Sequence, residues 1–221
     1  MTERGIVYAP PQDELKVLHA DDQLVAIDKP AGLLSVPGRG PAHADCAAAR
    51  VQALFPDALT VHRLDMGTSG VLVFGRGAAA QRTLSQAFEQ RQTEKRYLAI
   101  VAGLPAEDDG QIDLPLIADW PNRPRQMVDL ARGRPSTTLW RCLSRDPATN
   151  TARLLLTPIT GRSHQLRVHL QAIGHPILGD ELYAPPDVDA ASPRLMLHAW
   201  QLTLPHPVSR APLALEAAAP F

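Results

Sequence analysis

The chain has 221 residues, 45% hydrophobic and 20% charged, with a formal net charge of −1. These values exclude a disordered acidic or basic tail and a collagen-like repeat, and no apolar run reaches the roughly 20 residues of a membrane span. Cys46 and Cys142 stand too far apart in sequence for a disulfide framework or metal quartet, and Met1-Thr2-Glu3-Arg4-Gly5 lacks a signal-peptide core, so a reducing cytoplasm is expected.

In chain order, apolar runs predict strands over Leu24–Asp28, Leu59–Val61 and Val71–Gly75, with a weak helix over His43–Phe55 between the first two. A second helix is expected over Ala78–Gln92, because Ala80, Leu84, Ala87 and Phe88 fall on one face. Strands follow over Tyr97–Ala102, Thr137–Leu143 and Ala152–Thr157. Ser163–Ile173 reads as a helix with Leu166, Leu170 and Ile173 inward, Ser163 as its cap and Gly174 past its end. Leu195–Leu204 is the last predicted strand. The 21 prolines mark turns and strand edges. Strands predominate and helices are scattered among them, which gives a mixed α+β class. The length suits one good-sized core, with no repeat or long linker. We expect a short segment over 1–17 and one domain over 18–221, without a separate binding domain.

Charge is unevenly spread. Asp119 to His169 holds nine Arg and three Asp, a net +6, which leaves −7 for the remainder. An arginine-rich stretch of this kind forms a phosphate-binding face, since the guanidinium fork matches phosphate geometry. The plainer reading is that arginine is this chain's habitual cation: it has 19 Arg and three Lys.

The most informative stretch is Val61-His62-Arg63-Leu64-Asp65-Met66-Gly67-Thr68-Ser69-Gly70-Val71. An apolar run leads into a lone carboxylate beside an arginine, then a small-residue turn, then a second apolar run. That pattern is strand, loop, strand, with Asp65 on the loop. The glycines permit close backbone approach, so a substrate is expected near the main chain. An Asp so placed serves as nucleophile, base or charge stabiliser, or simply as a turn residue paired with its neighbour.

His62-Arg63-Leu64-Asp65 with Thr68-Ser69-Gly70 resembles the signature of the RluA family of RNA pseudouridine synthases. Three further segments are similar to that family in the same order: Asp28-Lys29-Pro30-Ala31-Gly32-Leu33; Lys95-Arg96-Tyr97-Leu98-Ala99; and Thr160-Gly161-Arg162-Ser163-His164-Gln165-Leu166-Arg167, followed by Gly174-His175-Pro176-Ile177-Leu178-Gly179-Asp180 and Tyr183. Asp28 departs from the usual asparagine. The resemblance runs from about Leu18 to about Pro207. It implies one catalytic domain around a long, mostly antiparallel sheet with a central cleft, and isomerisation of uridine to pseudouridine in RNA.

That reaction breaks an N1–C1′ bond and forms a C5–C1′ bond without redox change. The chain has no dinucleotide or phosphate-loop fingerprint, and no cofactor or metal is expected. His164 and His169 are five apart, not the four that share a helical face, which argues against zinc. The resemblance assigns Asp65 as the reacting carboxylate, whether toward sugar, base or a 2′ proton. Arg162 is the candidate counter-cation, alternatively a phosphate contact. Tyr97 is the candidate stacking ring and proton shuttle, alternatively a core tyrosine. Arg63 is placed to fill the gap left by an extruded base, since unstacking costs a few kcal/mol. His62 and Thr68 are further candidate substrate contacts, His62 by positioning or capping the backbone of the loop. His164, Gln165 and Arg167 read as a helix entrance suited to a phosphate. An Asp-nucleophile phosphatase is disfavoured because Gly67 stands where such a loop needs a second acid, and a non-catalytic RNA-binding module is disfavoured because Asp65, Tyr97 and Arg162 are all present.

Asp113 to Gln126, with Leu34 to Arg39, resembles a short dual-specificity bacterial member that modifies a tRNA anticodon-loop uridine and a uridine in a large-subunit rRNA hairpin. By that resemblance the partners are stem-loop RNAs, with no membrane and no obligate protein partner. Arg39, Trp120, Arg123 and Arg125 are the candidate RNA contacts, Trp120 by stacking; the alternative for Trp120 is a buried anchor under its proline-rich loop.

Overall fold

The strands Leu24–Lys29 and Ser69–Arg76, apolar through Leu24 to Ile27 and Val71 to Phe74, are neighbours buried on both faces. They are β2 and β4 of a computed structural model that describes residues 8–221. The absence of an apolar core over Met1 to Gly5 concerns a segment outside the described residues. The other strands are β1 (Lys16–Ala20), β3 (Ala58–Thr60), β5 (Glu94–Ala102), β6 (Asp109–Asp113), β7 (Leu116–Ala118), β8 (Gln126–Val128), β9 (Thr137–Asp146), β10 (Thr151–Pro158), β11 (Leu197–Pro205) and β12 (Pro212–Glu216). The α-helices are α1 (Ala47–Leu54), α2 (Gly77–Glu89), α3 (Gln165–Ala172) and α4 (Pro186–Ala190).

One sheet runs β1-β2-β4-β11-β5-β10-β9-β6, with β3 beside β4 and β12 beside β11. Its pairs are antiparallel except β4–β11, which is parallel through His198–Ser69 and Ala199–Gly70. Gly70 is required at that junction: its φ is +110°, and a Cβ would stand 2.2 Å from the Ala199 carbonyl oxygen. A Cβ on Gly67 would press on Leu195 at 3.2 Å. Gly70 is thus needed for the pairing of β4 with β11, whereas Gly67 packs closely on Leu195.

Period-two alternation splits the core across the sheet. Val25, Ile27, Leu72 and Phe74 pack with Ala47, Ala48 and Val51 of α1. Leu24, Ala26, Val71 and Val73 point the other way, toward Leu84 of α2 and toward Leu202, Leu204 and Leu215. In the other half, Ala152, Leu154 and Leu156 of β10 meet Leu166 and Leu170 of α3. Tyr97 touches both the first cluster and the third, so it lies at the seam between the halves.

The weak helix begins at Ala47, four residues later than expected, because Pro41–His43 is a separate 3₁₀ turn and the Cys46 sulfur caps α1. Ser163 does not cap α3; His164 occupies that position in a left-handed conformation. Strands β1, β6, β7, β8 and β12 were not expected. They are short or peripheral, and few of their residues are buried, so their alternation is faint. β7 and β8 form a separate two-stranded hairpin whose tip carries Trp120.

Candidate active site

The loop between β3 and β4 hangs over the middle of the sheet, and its main chain is held from several sides. The Ser35 hydroxyl donates to the Leu64 carbonyl at 2.7 Å and accepts from the Leu64 amide at 3.0 Å. The Met66 carbonyl accepts from the Gly32 amide and from Lys29 Nζ. Lys29 is fully buried and also donates to the carbonyls of Pro30 and Leu33, at 2.9 and 2.7 Å. Burial pulls its pKa down to about 7, against the opposing pull of Asp65. The buried Thr68 closes the turn by donating its amide to the Asp65 carbonyl. His62 stacks on Phe88 and accepts the Val73 amide at Nε2. Burial and Lys95 pull the His62 pKa down to about 3, so the ring is neutral and its role is to position the loop.

Asp65 so placed lies on the wall of a cavity of about 550 Å³. Arg167 reaches it from α3, with Nη1 3.5 Å from Oδ2. The guanidinium is only 6% exposed and forms a two-pronged pair with Asp180, at 2.8 and 2.6 Å. Asp180 also accepts the amides of Leu182 and Tyr183. Asp180 thus fixes Arg167, and Arg167 directs its remaining edge at Asp65. This corrects the sequence expectation: the cation on Asp65 is Arg167. Arg162 is exposed and lines the cavity, but forms no ion pair with Asp65. Their places on the chain separate the two in the fold. Arg167 lies on the first turn of α3, whose face is turned into the core, whereas Arg162 precedes the helix on its entry loop.

The expected phosphate role of the helix entrance is also revised. Gln165 is 3% exposed, with its amide nitrogen donating to Thr137 and Thr138 and its Oε1 accepting from Thr160 and from the Arg162 amide. The Gln165 side chain is fully paired, and Arg167 is nearly buried with its guanidinium turned to Asp180 and Asp65. His164 stands 3.8 Å from Asp65 Oδ1 through Nε2. Its Nδ1 is 2.6 Å from the Tyr183 hydroxyl, which accepts the Gln126 amide at 2.8 Å. The Tyr183 hydroxyl thus bridges the Gln126 amide and the His164 ring, whose Nε2 faces Asp65. Burial lowers the His164 pKa and raises that of Tyr183 to about 12. Asp180, Tyr183 and Ser35 were quoted in the motifs without a role; no local pattern in the sequence announces contacts that close only in the fold.

Tyr97 and Leu197 form the floor of the cavity. Burial, and then Asp65, raise the Tyr97 pKa, so its phenol keeps its proton near neutral pH. Arg63 is exposed at the rim. Trp120 is 65% exposed, which overturns the buried-anchor alternative; the Arg123 guanidinium lies 4.1 Å above its ring. Arg125 lies 5.4 Å over the Tyr183 ring, which ties the hairpin to the site. Arg39 is exposed and outside the cavity lining.

A carboxylate, a locked guanidinium and a phenol ring around one nucleoside-sized space match the chemistry expected of Asp65. Comparison with known proteins places the chain in a family. The family model for RNA pseudouridylate synthase matches residues 23–172. The dual-specificity RNA pseudouridine synthase RluA of Pasteurella multocida is 50% identical over 217 residues, covering 98% of this chain and 99% of that protein. RluA of Escherichia coli K12 is 50% identical over 215 residues, covering 97% and 98%. Among solved structures, human RNA pseudouridylate synthase domain containing 1 has a TM-score of 0.79 at 26% identity, covering 100% of this chain and 87% of that one. The human domain containing 4 protein has a TM-score of 0.74 at 27% identity. The chain belongs to the RluA family of RNA pseudouridine synthases.

Proposed function

We propose that this chain isomerises uridine to pseudouridine in two kinds of stem-loop: the anticodon arm of tRNA and a hairpin of large-subunit rRNA. The observation that carries the chemistry is Asp65 on the wall of the cavity, with Arg167 at 3.5 Å and Tyr97 beneath. The dual target is supported by half-identity, over nearly the whole length, to relatives named as dual-specificity enzymes.

The uridine leaves its stack and enters the cavity, with Arg63 at the rim filling the space it vacates. Tyr97 supports the uracil ring as a neutral phenol. Asp65 is the reacting carboxylate, and Arg167 holds it and balances its charge as the glycosidic bond opens. Trp120 and Arg123 on the hairpin tip stack on a loop base, while Arg125 and Arg39 meet backbone phosphate. All of these contacts come from within residues 18–221, which act as one catalytic and RNA-recognising unit.

The test is pseudouridine formation by purified enzyme in two unmodified transcripts, an anticodon stem-loop and a large-subunit rRNA hairpin, with and without EDTA. Product in both, unaffected by EDTA, is expected. Product in only one would remove the dual assignment, and product in neither would remove the RNA targets.

A further inference from the structure

Lys95 lies two residues before Tyr97 on β5, so both side chains leave the same face of the strand, about 7 Å apart at strand rise. Both line the cavity. The Lys95 ammonium is half-buried, and no carboxylate or carbonyl of a described residue hydrogen-bonds to it. Lys29, by contrast, donates to three carbonyls. Arg91 and Arg162 line the same cavity, the Lys95 ammonium stands 3.6 Å from where a Cβ on Gly161 would lie, next to Arg162, and burial together with Arg91 lowers the Lys95 pKa. Glu89, the cavity's carboxylate other than Asp65, forms no ion pair with a described residue.

Arg91 adds a second observation. It ends the α2 turn with φ +57°, where a glycine is the usual residue. Four described non-glycine residues have positive φ. Asn150 and Arg210 sit in the turns that join β9 to β10 and β11 to β12, whereas Arg91 and His164 both line this cavity. Backbone held in this region concentrates where a side chain must be presented to a ligand.

We propose that Lys95, together with Arg91 and Arg162, binds a backbone phosphate next to the uridine that enters the cavity. The inference rests on the pseudouridine synthase reading and adds the substrate group that this edge of the site takes. A half-desolvated ammonium among guanidiniums is unfavourable in the free protein. A phosphate supplies the missing anion through charge-assisted hydrogen bonds. Holding the phosphate fixes the sugar between Lys95 and Tyr97, and so sets the approach of C1′ and the base to Asp65.

The experiment uses an anticodon stem-loop with an ordinary backbone and two others in which one linkage flanking the target uridine is a neutral methylphosphonate. Wild type, Lys95→Met and Lys95→Arg are compared for product formation and for equilibrium binding. On ordinary RNA, Lys95→Met is expected to lower kcat/KM by roughly 10- to 100-fold, the range of one charge-assisted hydrogen bond. On one of the two neutral-linkage RNAs wild type shows the same loss, and Lys95→Met loses nothing further. Lys95→Arg keeps most activity on ordinary RNA. The free Lys95→Met protein melts no lower than wild type, because no protein partner is lost. An equal loss on all three RNAs, no loss on ordinary RNA, or a clearly lowered melting temperature would overturn the proposal. Wild type that forms no product on ordinary RNA would overturn the synthase reading instead; the binding comparison across the three RNAs then still decides whether Lys95 meets a phosphate.

Discussion

Removal of the Arg167 guanidinium separates its structural work from its chemical work. Arg167→Met leaves Asp180, 1% exposed, as an uncompensated buried charge, and breaking a buried pair from one side costs about 3–5 kcal/mol. It also withdraws the positive charge 3.5 Å from Asp65. A charged group lost from a reacting centre costs roughly 100- to 1,000-fold in rate. Arg167→Met/Asp180→Asn removes both charges, while the asparagine oxygen still accepts the amides of Leu182 and Tyr183. Stability should therefore return to within about 2 kcal/mol of wild type, since a buried pair replaced from both sides is often neutral. Activity should not return. Urea unfolding and single-turnover pseudouridine formation, run on both variants, measure the two effects. A double variant that regains both fold and activity would refute the role given to Arg167. Arg162→Ala, by comparison, should retain the fold and lose less of the single-turnover rate than Arg167→Met.

Other perturbations read separate parts of the site. Lys29→Met strands the carbonyls of Pro30 and Leu33, at about 1–3 kcal/mol each; with the ammonium's own desolvation cost removed, a net loss of roughly 2–4 kcal/mol in urea is expected, and an unchanged midpoint would contradict the account of the loop. His62 has a folded pKa of about 3 against an ordinary 6.5, so between these values the unfolded chain binds a proton that the folded one does not. Stability contributed by neutral His62 is complete above pH 6.5 and falls by about 1.4 kcal/mol per unit as pH drops toward 3; His164, His169 and His198, also lowered by burial, act in the same direction. His62→Gln should flatten that slope in urea melts at pH 7, 5.5 and 4.5, and an identical slope would place the titration elsewhere. Trp120→Ala should change stability by less than about 0.5 kcal/mol and weaken stem-loop binding by the roughly 1–3 kcal/mol of one stacked base; a stability loss with unchanged affinity would make Trp120 a packing residue.

The centre of the fold was readable because its strands are long and its faces strictly patterned. β2 and β4 are apolar at almost every position, and β10 alternates buried and half-buried residues along its length. The periphery was not. β12 buries one of five residues and β6 one of five, so no period stands out from the surrounding turns. Within the site, Asp65 and Tyr97 were singled out by the motifs that resemble the family; the residues alone left a turn carboxylate and a core tyrosine as alternatives. The choice between Arg162 and Arg167 was not visible: both belong to one short motif, and only the burial of the α3 face and the distant Asp180 separate them. The support beneath the loop, from Lys29 and Ser35, joins residues 37 and 29 positions apart and has no local signature.

The most direct test of the central claim is Asp65→Asn, assayed for binding and for product on the same stem-loop. The carboxamide keeps the size of the side chain and leaves the main-chain bonds of Leu64, Met66 and Thr68 in place. The account predicts wild-type-like melting and RNA affinity with no pseudouridine formed over many wild-type turnovers. Pseudouridine formed by that variant at a rate near wild type would contradict it.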